Sequence, residues 1–206
     1  MKCYTQPTGV LSANSHLFID ESSGESVIFD AGGFDGSLKN LLEKIDKDKL
    51  RYIILTHCHY DHIAGVEELR KYTGATVLIS DADKTGLYDD EFSLANQFGM
   101  PLNKCTDFKI IADGDEIPFA DDVIKVIATP GHTSGGLCFI FKDWLITGDT
   151  LFAGSIGRTD FENSNPFDMM KSLQKIKSLN ENYTVLSGHG PNSTLDHEKK
   201  YNQYLR

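Results

Sequence analysis

A chain of 206 residues is long enough to bury a substantial core as one domain, and its composition suggests neither disorder nor repeats. Its formal charge of −10 at pH 7 disfavours a polyanionic partner and sets a nuclease aside, because nucleic-acid binding relies on a basic face that neutralises phosphates. Residues 1–7 lack an apolar leader and no segment approaches the roughly 18 apolar residues that span a bilayer, so a soluble, cytoplasmic protein with no membrane partner is expected.

Residues 15–20 and 26–30 are β-rich runs joined by a serine- and glycine-containing stretch, and they read as a hairpin. Ser37 is a candidate N-cap for a helix in which Leu38, Leu41, Leu42 and Ile45 recur at i, i+3, i+4 and i+7, the stripe that covers a sheet face. The apolar run 52–55 is a buried strand that leads into Thr56-His57-Cys58-His59-Tyr60-Asp61-His62, and then into a helix with Ile63, Val66 and Leu69 inward, ending at Gly74. Residues 76–79 form another strand. Residues 85–107 have no clean period and read as a flap or surface excursion.

Strands return at 108–111, 123–127, 137–141 and 144–147, too many with too few intervening helices for a Rossmann fold. Asn165 caps a helix with Pro166 in its first position that buries Met170, Leu173 and Ile176. A strand at 183–186 and a polar terminal helix complete the chain, which has no linker and is expected to be a single domain, 1–206. The four cysteines, Cys3, Cys58, Cys105 and Cys138, lack CxxC spacing and are expected as free thiols.

Three imidazoles and a carboxylate within six residues suit a borderline-soft divalent metal. Further candidate ligands each follow a strand: His132 after Pro130-Gly131, Asp149 after Gly148, and His189 between Gly188 and Gly190. The flanking glycines allow close backbone approach where side chains must be aimed into a crowded site. Singly, each could equally be an ordinary turn histidine or solvated aspartate; four strand ends together point to a metal site.

That motif, with Gly131-His132, Gly148-Asp149 and Gly188-His189, resembles the metallo-β-lactamase fold superfamily over nearly the whole chain. The resemblance implies an α/β (α+β) fold, a four-layer αββα sandwich of two mixed sheets with helices outside and a dinuclear site at one edge. Carried over residue by residue, it implies that His57, His59 and His132 hold a first divalent ion, Asp61, His62 and His189 a second, and that Asp149 bridges them. Zinc is the expected metal; iron and manganese also suit imidazole and carboxylate ligands.

Class B1 β-lactamases carry cysteine where Asp149 stands, and flavo-diiron proteins carry glutamate where His59 stands, so neither branch matches. Leu151-Phe152-Ala153-Gly154-Ser155-Ile156-Gly157-Arg158-Thr159-Asp160 and Ser187-Gly188-His189-Gly190-Pro191 are similar to short glyoxalase II-like (hydroxyacylglutathione hydrolase-like) enzymes, which cleave thioesters such as S-lactoylglutathione. Longer members add a C-terminal helical region with glutathione contacts, and none is expected here after Arg206. A competing branch, the persulfide dioxygenases, shares the His-Cys-His-x-Asp-His form but binds one iron; Gly188-His189-Gly190-Pro191 favours the hydrolase. A lactonase and a non-enzymatic metal-binding protein rank lower.

Two divalent ions sharing a water lower its pKa from about 15.7 to about 7. The expected reaction is attack of this metal-bridged hydroxide on the carbonyl of a small acyl thioester or ester, with Asp61 also handling a proton. Asp30 matches an aspartate that the superfamily places near the metals, where it would fix a histidine tautomer; a turn or capping role is the alternative. Arg158 would hold a substrate carboxylate or form a structural salt bridge. Tyr88, Phe92 and Phe98 read better as core than as pocket, Cys58 points away from its histidine neighbours, and His16 and His197 are ordinary polar positions.

Overall fold

The computed structural model describes residues 1–206, and each of two units, Met1–Ile111 and Ala112–Arg206, builds its own six-stranded sheet. In the first unit β1 (Lys2–Thr8), β2 (Ala13–Ile19) and β3 (Ser26–Phe29) form an antiparallel meander; β4 (Leu50–Ile54), β5 (Thr76–Ser80) and β6 (Lys109–Ile111) then add in parallel. The expected hairpin is β2–β3, with Leu17 opposite Ile28. β1 was not anticipated, because its sequence is polar and holds Pro7; it is an edge strand, where a missing N–H is tolerated.

Helix α1 (Gly36–Leu42) is capped by Asp35 rather than Ser37: one carboxylate oxygen accepts from Leu38 N–H and the other from Gly9 N–H. The helix ends before Ile45, which packs on the core from the following loop. The single helix expected up to Gly74 is two, α2 (Tyr60–Ile63) and α3 (Val66–Thr73). The break lies at Gly65, where a Cβ would meet Gly33 C and Phe34 N at 2.5 Å, so the chain can pass only as glycine. Gly74 ends α3 in the left-handed conformation, as its position suggests.

Residues 85–107 are less peripheral than their composition implies. Around the short α4 (Ala95–Phe98), Leu87, Ala95, Leu102 and Cys105 are buried in the core of this unit with Leu38, Ile53 and Leu69. Tyr88 and Phe92 pack against that core, whereas Phe98 is exposed and stacks on Tyr60. Each fully buried Leu or Ile contributes about 1.5–3 kcal/mol relative to an exposed one.

The second unit orders its sheet β14-β13-β10-β9-β8-β7, with β7 (Glu116–Phe119), β8 (Asp122–Ala128), β9 (Leu137–Phe141), β10 (Trp144–Gly148), β13 (Thr184–Ser187) and β14 (Ser193–Thr194). A two-stranded hairpin, β11 (Leu151–Phe152) with β12 (Ser155–Ile156), stands apart from that sheet. β7, like β1, is an unanticipated edge strand holding a proline, Pro118. In α5 (Pro166–Lys177) the Asn165 side chain accepts from Phe167 and Asp168 N–H, as its capping position requires. The buried face is Met169, Ser172, Leu173 and Ile176, so Met170 is corrected to an exposed position, one residue out of phase with that stripe. Helix α6 (Leu195–Tyr201) follows β14.

β8 and β10 both pair antiparallel with β9, and β13 pairs parallel with β10. All three strands therefore run in one direction and release their following loops at one sheet edge. The mixed α/β fold with two sheets is the one expected. No helix is long and apolar enough to cross a membrane.

Candidate metal centre

β3 and β4 are parallel neighbours, so the residues that leave their C-terminal ends meet. Asp30 is buried and held at φ +58, a region that costs most residues about 1–2 kcal/mol and that aspartate tolerates better than most. Its Oδ1 accepts from Thr56 N–H at 2.8 Å; its Oδ2 accepts from the Thr56 hydroxyl at 2.8 Å and lies 2.7 Å from His62 Nδ1. A carboxylate only accepts, so His62 Nδ1 carries the hydrogen. The Thr56 hydroxyl has given its one hydrogen to Asp30, so it accepts from His57 Nδ1 at 3.0 Å. Both histidines are thereby left with an unprotonated Nε2, the form that binds a divalent metal.

Within the same unit, the ligand atoms of His57 lie within 4.8 Å of those of His59 and of His62. Asp61 Oδ2 is 3.7 Å from His62 Nε2. All four side chains lie in buried residues, and Ala31 N–H holds the turn by donating to His62 O at 2.8 Å. Cys58 does not share their face: it is buried in the core, and its N–H donates to Asp83 Oδ2.

In the second unit His132, Asp149 and His189 follow β8, β10 and β13. Asp149 Oδ2 is 3.4 Å from His132 Nε2 and 3.7 Å from His189 Nε2, so one oxygen faces both rings. His132 Nδ1 donates to the carbonyl of Arg158 at 2.8 Å, which again assigns the lone pair to Nε2. Gly131 has φ +148, and a Cβ there would meet Met169 Cα at 2.4 Å. A Cβ on Gly157 would sit 1.8 Å from the Asp149 carbonyl oxygen.

Four of the expected ligand residues lie in the first unit, His57 and His59 in the loop after β4 and Asp61 and His62 in α2, and three lie in the second, after β8, β10 and β13. Asp30 makes the histidine contact expected of it. The Arg158 guanidinium forms a bidentate pair with Asp160 at 2.6 and 2.7 Å and lies over the Phe161 ring. His16 bonds Thr5 and His197 lies against Tyr201, both outside the ligand set. Thr56 and the Arg158 carbonyl were not singled out from sequence. The first had a signal, a hydroxyl directly before the leading histidine; a backbone carbonyl has none. In each unit the candidate donors are imidazoles and carboxylates without a thiolate, donor types that suit zinc, iron or manganese.

The chain matches the family model described as the Metallo-beta-lactamase superfamily over residues 8–189 and belongs to that superfamily, one of metal-binding hydrolases. A probable metallo-hydrolase, YqgX of Bacillus subtilis, is 32% identical, with 100% of this chain and 98% of that protein covered. The hydroxyacylglutathione hydrolase GloC of Haemophilus influenzae is 29% identical over 97% of this chain and 95% of its own. Among solved structures, the BLEG-1 B3 metallo-beta-lactamase is similar at a TM-score of 0.89 and 28% identity, covering 99% of each chain.

Proposed function

We propose that the protein is a dinuclear metal hydrolase of the glyoxalase II-like type, acting on a small acyl thioester or a related ester. His57, His59 and His132 would hold one ion and Asp61, His62 and His189 the other, with Asp149 shared between them, within a single catalytic domain. The observation that carries this reading is the Asp149 carboxylate, whose Oδ2 faces both His132 and His189, residues assigned to different ions. The similarity to a hydroxyacylglutathione hydrolase supports the thioester as substrate class.

When bound, the ions supply an acidified water, with a pKa of about 7, and polarise the acyl carbonyl. The chain's own groups do the rest. Asp30 and Thr56 hold His57 and His62 in the tautomer that presents Nε2, and Arg158 O does so for His132. Asp61 accepts a proton as the nucleophile is spent. A thiol leaving group with a pKa of about 8.5 departs as thiolate with little help, which suits a site without a further general acid.

Metal analysis of fully active protein is expected to find two equivalents of zinc, iron or manganese per chain; less than one would sink the dinuclear reading. A panel of thioesters, lactones, a β-lactam and glutathione persulfide, with oxygen uptake followed, is expected to show thioester cleavage without oxygen consumption. Oxygen consumption without thioester cleavage would make the protein a persulfide dioxygenase instead. Asp149→Ala is expected to abolish turnover, and near-normal turnover would refute the bridge.

A further inference from the structure

We infer that Glu198 is a positioning residue for His132, Asp149 and His189, acting through the β11–β12 hairpin. Glu198 lies on α6 and is fully buried, a setting in which a carboxylate has to be matched by donors. Its Oε2 accepts from Gly154 N–H at 2.8 Å and from Asn202 Nδ2 at 2.9 Å; its Oε1 accepts from the Ser193 hydroxyl. Asn202, also fully buried, donates from the same amide to Ser155 O at 3.0 Å and Phe152 O at 3.4 Å. Three of the four residues around the hairpin turn are therefore fastened to one buried Glu–Asn pair.

The hairpin needs that fastening, because two short strands with only two residue pairs between them have little stability of their own. Its position matters because of what it joins. It begins two residues after Asp149 and ends at Ile156, from which Gly157 passes close beneath the Asp149 carbonyl and Arg158 offers its carbonyl to His132 Nδ1. Phe152 sets its ring edge-on to His189, with centroids 6.1 Å apart. One displacement of the hairpin would thus disturb all three ligands of this unit.

The inference rests on the proposed metal site, and two readouts keep them distinguishable. Glu198→Gln retains the side chain's shape but replaces one acceptor with a donor. Its zinc affinity, measured by competition with a chromophoric chelator, is expected to fall 10–100-fold, the range for residues that orient metal ligands. Asn202→Ala is expected to lower it in the same direction. Ile176→Ala truncates the core of this unit three turns along α5 from Asn165, whose N–H donates to Gly131 O beside His132; it is expected to lower the urea midpoint while leaving zinc affinity within twofold.

In metal-free protein, the His132 Nδ1 proton seen by NMR is expected to exchange with solvent faster in Glu198→Gln than in wild type or Ile176→Ala. Zinc affinity within twofold of wild type in both Glu198→Gln and Asn202→Ala would overturn the inference, as would equal His132 proton exchange in Glu198→Gln and Ile176→Ala. If Glu198→Gln does not fold, Asn202→Ala decides by the same measurements. If wild type binds no zinc, the metal reading fails, and the proton exchange still tests the link between Glu198 and His132.

Discussion

His62 Nδ1 lies 2.7 Å from Asp30 Oδ2, with both side chains shut away from solvent. The same oxygen takes the Thr56 hydroxyl, so one carboxylate sets the tautomer of His62 directly and that of His57 through Thr56. The other oxygen accepts from Thr56 N–H, so an amide here would set a donor against a donor at one of the two positions. Asp30→Asn is expected to weaken zinc binding by about 10–100-fold and to destabilise the fold by roughly 1–3 kcal/mol through the donor left unsatisfied. Chelator competition and urea unfolding measure the two effects, and an unchanged affinity would remove Asp30 from the ligand support.

Glycines of different standing predict opposite outcomes. Gly157→Ala would place a methyl group 1.8 Å from the Asp149 carbonyl oxygen, so the backbone of a proposed bridging ligand has to move. Metal content and turnover are expected to collapse together in that variant. Gly36, in the first turn of α1, meets nothing within 4 Å of an added Cβ and has ordinary torsions. Gly36→Ala is expected to stabilise by about 0.5–1 kcal/mol in urea unfolding and to leave turnover unchanged.

Glu67 carries an acid-sensitive contact. Arg70 grips both its oxygens, at 2.8 and 3.1 Å, and with Lys71 and Cys105 adding smaller contributions against the opposing effect of burial, its carboxyl drops from the ordinary 4.5 to about 2. A carboxyl that is harder to protonate folded than unfolded favours the folded state while charged. Its contribution is complete above 4.5 and is lost as the pH falls from there to about 2. The fall in Tm between pH 6 and pH 3 is expected to be smaller for Glu67→Gln than for wild type; equal falls would contradict this.

Burial also governs the thiols. It pushes Cys3 up to about 12 and Cys105 and Cys138 up to about 11, and Cys58 is enclosed in the core of the first unit. The thiolate is the reactive form, so native protein at neutral pH is expected to react slowly with an aromatic disulfide reagent and to show all four thiols only after denaturation. An equivalent that reacts within seconds in native protein would show that one of these sites opens readily.

Local signals carried most of the architecture. Central strands such as β4, β9 and β10 are short apolar runs that stand out from their turns, and Asn165-Pro166 marks a helix start through chemistry confined to one turn. Edge strands β1 and β7 escaped because β1 buries only Thr8 and β7 is four residues long, and because proline is a poor strand former everywhere except at an edge. The choice of Asp35 over Ser37 as cap turned on Gly9, 26 residues away in the chain.

The sequence by itself determined the family and marked the candidate ligands, since imidazoles and carboxylates flanked by glycine are visible without coordinates. Tertiary structure decided which nitrogen His57, His62 and His132 present, because their Nδ1 hydrogen bonds to Thr56, Asp30 and Arg158 O depend on separate segments coming together. It also decided that Glu198, an ordinary helix glutamate in sequence, is a fully buried anchor. Burial and partner geometry come from the packing of distant segments, and no local pattern encodes them.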